Sequence, residues 1–296
     1  MTALLRCLSA LAALAFLTLP ARADVMTFMP KEIRDAEQPS IDGAARLLAA
    51  RPDALRQYTV DGRSIRYVEL AQPETARPLV IFVHGSPGLW RTWVPYLNDP
   101  DLQAKADLIA MDRPGFGDSG SGDAVLGFAA QARMLAPLLD RAQPGQRVVL
   151  VGHALAGALI ARMAMAYPDR ITDLVMTAAP LDPNLQQESW FQYLADLAPV
   201  TWLLPREIVV FNREYLRLAE ELREMQPLWP KVGQRVSLLL GTDDAEVPLA
   251  TGRFARQVLS SAPAVNVIEL PVTNHFIPWT RFGPLKTAIL GHLDGP

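Results

Sequence analysis

The chain has 296 residues, half of them hydrophobic, with 28 basic against 31 acidic residues and a formal net charge of -3. That length and apolar content supply one large core and suit a single α/β domain with an insertion better than two independent domains. A mildly acidic balance without a basic block offers no footprint for nucleic acid, and the single cysteine excludes a disulfide framework.

The first residues stand apart from that core. Arg6 supplies a positive start, Leu8 to Leu19 form an apolar stretch too short for a comfortable membrane span, and Pro20-Ala21-Arg22-Ala23 ends in a small-x-small pattern. This predicts a signal peptide over 1–23 and an exported, periplasmic or secreted protein with no stable membrane span after cleavage; an uncleaved anchor is the alternative. Loss of Arg6 and Arg22 leaves 26 basic residues and a net charge of -5, and Cys7 leaves with them. The mature chain then has no cysteine for a disulfide, a thiolate metal site or a nucleophile. An N-terminal extension over 24–54 follows. Pro30, Pro39 and Pro52 divide it, Ser40 to Ala50 reads as a helix with Ser40 as cap, and no chemistry is visible in it.

Tyr58-Thr59-Val60, Asp61-Gly62 and Ser64 to Val68 give a hairpin signal with an Asp-Gly turn. Strand patterns then recur at Leu79 to Val83, Leu108 to Met111, Val148 to Val151, Leu174 to Met176, Val236 to Leu240 and Val265 to Leu270, with helical spacing or turn signals between them. Buried aliphatic strands alternating with helices predict a mostly parallel sheet covered by helices on both faces, edged by the antiparallel hairpin. The alternation breaks over 181–230, predicted as an inserted helical cap between core segments 55–180 and 231–296. Its aromatics, among them Trp190, Tyr193, Trp202, Phe211, Tyr215 and Trp229, are expected mostly to hold the cap on the domain, with a few lining an apolar pocket. Leu218 to Met225 reads as a solvated helix face.

Open α/β sheets place their sites beyond the carboxyl ends of the strands. Phe82-Val83-His84-Gly85-Ser86-Pro87-Gly88 leaves one strand with glycines on both sides of Ser86, which lets the backbone turn an amide N–H into a site; an ordinary Gly-Pro turn is the alternative. Met111-Asp112-Arg113-Pro114-Gly115-Phe116-Gly117 reads as a structural turn tied by Asp112. Val148-Val149-Leu150-Val151-Gly152-His153-Ala154-Leu155-Ala156-Gly157 is a strand, a sharp turn of small residues and a helix. Gly241-Thr242-Asp243-Asp244-Ala245-Glu246-Val247-Pro248 puts carboxylates past a strand, and Asn274-His275-Phe276-Ile277-Pro278 puts a histidine past the next.

With these five segments in this order, the chain from about Tyr58 to Leu293 resembles the α/β-hydrolase superfamily, in particular its esterase, lipase and haloperoxidase-like members with a helical cap. The resemblance implies an α/β-hydrolase fold and a site in which His275 is the base and Asp244 the acid, chosen over Asp243 by its spacing to Val247-Pro248. It implies the backbone N–H groups of Ser86 and Leu155 as oxyanion donors, and it places the nucleophile position on Ala154, where the family carries serine. It implies no cofactor, and the sequence shows no metal cluster. The expected function is that of an exported carboxylic ester hydrolase type acting on a small apolar ester or similar substrate, with the nucleophile position silent. A ligand-binding protein without turnover, or acid-base chemistry by His275 and Asp244 without a covalent intermediate, are the other readings.

Overall fold

Aliphatic runs without a polar interruption form the centre of the sheet. The computed structural model describes residues 31–72, 77–186 and 190–294. The expected signal peptide and residues 24–30 of the extension lie outside them. Its strands are β1 (Leu55–Val60), β2 (Arg63–Leu70), β3 (Leu79–Val83), β4 (Asp107–Met111), β5 (Val148–His153), β6 (Asp173–Thr177), β7 (Arg235–Gly241) and β8 (Val265–Leu270). They make one sheet in the order β1-β2-β4-β3-β5-β6-β7-β8. The β1–β2 and β2–β4 pairs are antiparallel and the rest parallel, with Asp61 and Gly62 at positive φ turning the opening hairpin as its sequence predicts.

The helices are α1 (Lys31–Ala50), α2 (Val94–Leu97), α3 (Pro100–Lys105), α4 (Phe128–Leu135), α5 (Leu155–Ala166), α6 (Trp190–Ala195), α7 (Val200–Leu203), α8 (Arg206–Met225), α9 (Ala250–Val258), α10 (Ile277–Thr280) and α11 (Phe282–Leu293). They cover both faces. Because strand side chains alternate, Ile81 and Val83 enter a core shared with α4, α5, α8 and α9, while Val80 and Phe82 enter a second core shared with α1, α3 and α11. Among the described residues no helix is long and apolar enough to cross a membrane.

Three expectations are corrected. The helix expected from Ser40 starts at Lys31 and runs through Pro39, so Ser40 lies mid-helix and caps nothing. Ile33, Glu37, Ser40, Ala44 and Leu47 form one buried stripe at helical spacing, and packing of that stripe outweighs the proline. In the insertion, Trp190 and Trp202 are 74% and 78% exposed, and Tyr193, Leu194 and Leu203 also face solvent rather than the domain below. Among the described aromatics of the insertion, Trp229 alone is fully buried, edge-on to Phe254. Finally, Leu218 to Met225 is solvated only at Glu220, Arg223 and Glu224. Leu218, Leu222 and Met225 enter the core, and buried Glu221 accepts the Phe128 N–H at 2.8 Å, capping α4.

Candidate active site

The carboxyl ends of β3, β5, β7 and β8 carry the site. At the end of β5, Ala154 has φ 51 and ψ -128, a conformation that strains any residue with a Cβ. The strand feeds the helix with no intervening loop: the Ala154 N–H donates to the Thr177 carbonyl on β6, and its carbonyl already accepts from the Gly157 N–H. Small neighbours make this possible. A Cβ on Gly152 would lie 2.6 Å from the Ala156 carbonyl oxygen, and one on Gly157 would collide with Ala179. Leu155 opens α5, so its N–H belongs to the helix's unsatisfied first turn.

The loop after β3 lies against this turn. A Cβ on Gly85 would be 3.4 Å from the Ala154 Cβ and 2.8 Å from Nδ1 of His153, so Ser86 begins its loop directly beside the elbow. The Ser86 hydroxyl is buried and has no hydrogen-bond partner among the described residues. His84 anchors the loop from below: its Nδ1–H donates to the Gly85 carbonyl at 2.7 Å while Nε2 accepts the Arg113 N–H at 2.8 Å. Burial and the Arg113 charge hold His84 well below the usual histidine range, which keeps it in this neutral tautomer.

The loop after β4 is structural, as its sequence predicts. Asp112 accepts the N–H groups of Trp90 and Asp118 at 2.9 and 3.1 Å, and burial raises its carboxyl to about 6. The Arg113 guanidinium, fully buried, is bound by Gln131 of α4 and paired with Glu214 of α8. It also donates to the Gly85 carbonyl at 3.3 Å. The insertion is thereby tied to the loop that presents Ser86.

Asp244 and His275 meet. Asp244 Oδ2 accepts from Nδ1 of His275 at 3.0 Å, while Oδ1 accepts the N–H groups of Glu246 and Val247 at 2.8 and 2.9 Å. Burial works against its charge, but the His275 hydrogen bond and these amides hold Asp244 below the carboxylate range. Asp243 turns outward and takes the Thr242 hydroxyl. The two loops are closely laid: the Asp243 N–H donates to the Thr273 carbonyl at 2.9 Å, and any side chain on Gly241 would strike that carbonyl.

Two participants are not visible from motif order. Glu246 Oε2 lies 3.8 Å from Nε2 of His275. Burial lowers the His275 pKa, but the Glu246 carboxylate and the Asp244 hydrogen bond together push it up to about 9. Both carboxylates thus favour the protonated imidazole. His153 donates from Nε2 to the His275 carbonyl at 2.9 Å, with ring centroids 5.1 Å apart, and so joins the elbow to the histidine loop. Burial and the His275 charge lower His153 to about 3, so it stays neutral, its Nδ1 unpartnered. The carboxylate two residues after Asp244 was the only sequence cue to Glu246.

A family model described as the alpha/beta hydrolase family matches residues 80–281. The chain belongs to that family. A dihydrolipoyllysine-residue acetyltransferase component of the acetoin cleaving system from Pseudomonas putida is 27% identical over 82% of this chain and 70% of its own length. A poly(3-hydroxyalkanoate) depolymerase from Ectopseudomonas oleovorans is 32% identical over 43% of this chain, which thus spans only 44% of that relative. A solved membrane phospholipase A shares the fold at a TM-score of 0.62 and 21% identity, covering 87% of this chain and 92% of its own.

Proposed function

We propose that this protein is an exported member of the carboxylic ester hydrolase type whose pocket takes a small apolar ester or similar ligand, and in which Ala154 silences the covalent route. The observation that carries the reading is the elbow. A non-glycine residue at φ 51 costs of order 1–3 kcal/mol, and here it lies in a turn tied by His153 to the His275–Asp244 pair. That is the arrangement needed to lift a hydroxyl toward an imidazole; Ala154 supplies none.

In this reading Asp244 fixes the His275 tautomer and orientation, and Nε2 exchanges the proton. The Ser86 and Leu155 N–H groups serve the developing oxyanion. Residues 181–230 act as the cap over the pocket. Losing the nucleophile of such a unit costs on the order of a millionfold in turnover, roughly 8 kcal/mol of barrier. The depolymerase relative, named for an aliphatic polyester, supports an ester or related substrate.

A second reading, ligand binding without turnover, is favoured by His275 itself. With Asp244 Oδ2 3.0 Å from Nδ1 and Glu246 Oε2 3.8 Å from Nε2, both ring nitrogens face carboxylates, which favours the protonated form over a free base. The two readings share a pocket and separate by experiment. Short-chain esters, acids and lactones raise the Tm of the chain as written under both. Only the first predicts that Ala154→Ser gains ester hydrolysis that His275→Ala removes. A folded Ala154→Ser protein that binds the panel and hydrolyses none of it leaves the binding reading standing alone.

A further inference from the structure

Helix α1 reaches both loops of the site through one buried carboxylate. Glu37 lies on the inward stripe of α1 and is 4% exposed. Its Oε2 accepts from the Trp279 indole N–H at 2.6 Å, and its Oε1 accepts from Nε of Arg91 at 3.2 Å. Trp279 belongs to α10, four residues past His275, and meets the His153 ring edge-on with centroids 5.4 Å apart. Arg91 lies just past the loop that presents Ser86, next to Trp90, whose N–H is held by Asp112. An isolated buried carboxylate is costly, so burial alone would displace this one to solvent or neutralise it. Burial pushes the Glu37 carboxyl up, and a cation and an indole donor from two different segments offset part of that cost.

We propose that Glu37 is a positioning residue: it fixes Trp279 against His153 and Arg91 beside the Ser86 loop, so that α1 sets the spacing between the histidine loop and the oxyanion loop. The inference rests on the reading of His275 as the proton-exchanging group. Because Glu37 is bonded to Trp279 and to Arg91, its effect passes through Trp279 and His153 on one side and Arg91 on the other. The extension that carries no chemistry in the sequence thereby becomes part of the site's support.

The test follows the His275 imidazole by NMR across a pH titration in the full chain. The titratable groups facing that ring are Asp244, Glu246 and His153; a change at Glu37 leaves all three side chains chemically intact and reaches the ring only through their placement. Glu37→Ala is expected to loosen α10 and lower the His275 midpoint by about one unit, a tenfold fall in proton affinity, with Glu37→Gln intermediate because its amide oxygen still accepts from one donor. Asp42→Ala, on the outer face of α1 and bonded to Gln38, is expected to leave the midpoint where it is. In an Ala154→Ser background, Glu37→Ala should slow fluorophosphonate labelling at least tenfold, and Glu37→Gln should restore part of it. An unmoved His275 midpoint in folded Glu37→Ala overturns the proposal; should that variant not fold, an unmoved midpoint in Glu37→Gln does so. If Ala154→Ser never labels, the hydrolase reading fails, while the titration still decides the role of Glu37.

Discussion

Ala154 carries two separable properties, its missing hydroxyl and its backbone angle. The angle has a thermodynamic signature. Glycine adopts φ 51 without the Cβ penalty, so Ala154→Gly should leave stability unchanged or raise it by up to about 1 kcal/mol, although glycine loses more entropy on folding. Ala161→Gly, in the interior of α5, should instead cost about 1 kcal/mol or more. Urea unfolding of the pair checks this, and equal losses at both positions would show that the elbow is unstrained. His275 gives a pH signature. Its pKa is raised to about 9, so the stabilisation from its carboxylate partners is complete below its ordinary value and is lost as pH rises through about 9. As a base it is the reverse: competent only once deprotonated. Labelling of an Ala154→Ser protein should therefore climb through about pH 9, and Glu246→Gln should bring that rise to lower pH. A profile centred near the ordinary histidine value in both proteins would mean Glu246 does not hold the proton on Nε2.

At the scale of elements, the strands were legible because their code is simple. Runs such as Leu79–Val83 and Val148–Val151 are short, rich in β-branched residues and apolar at every position, which suits a strand covered on both faces. The order of glycine, aspartate and histidine segments after those strands likewise marked where chemistry could gather. Helix α1 was less legible, since Pro39 and a polar composition speak against it and its stripe of Ile33, Glu37, Ala44 and Leu47 is meaningful only against a core formed by distant residues. The same holds for Glu214, one charge among many on α8, whose partner Arg113 lies 101 residues away. Their pair is fully enclosed, so Glu214→Ala strands a buried guanidinium beside the Gly85 carbonyl. The expected loss is about 3–5 kcal/mol in chemical denaturation. A loss within about 0.5 kcal/mol would place Arg113 in solvent contact and detach the insertion from the Ser86 loop.

Across the whole molecule, a sheet with its switch between β3 and β5 gathers loops from four strands at one edge, and the insertion and α1 approach that edge through Glu214 and Glu37. Glu37 and Glu214 are far in sequence from the loops they reach, which is why composition and spacing gave the order of the loops but neither these two carboxylates nor the exposure of Trp190, Tyr193 and Trp202. The account turns on position 154 being the place from which a nucleophile would act on a carbonyl held by the Ser86 loop and served by His275. Intact-mass analysis after fluorophosphonate treatment tests this directly. The chain as written should remain unmodified; Ala154→Ser should take up one adduct per chain on the introduced hydroxyl, and His275→Ala in that background should abolish it. A folded Ala154→Ser protein with no adduct, or an equal adduct on the chain as written, would contradict the account.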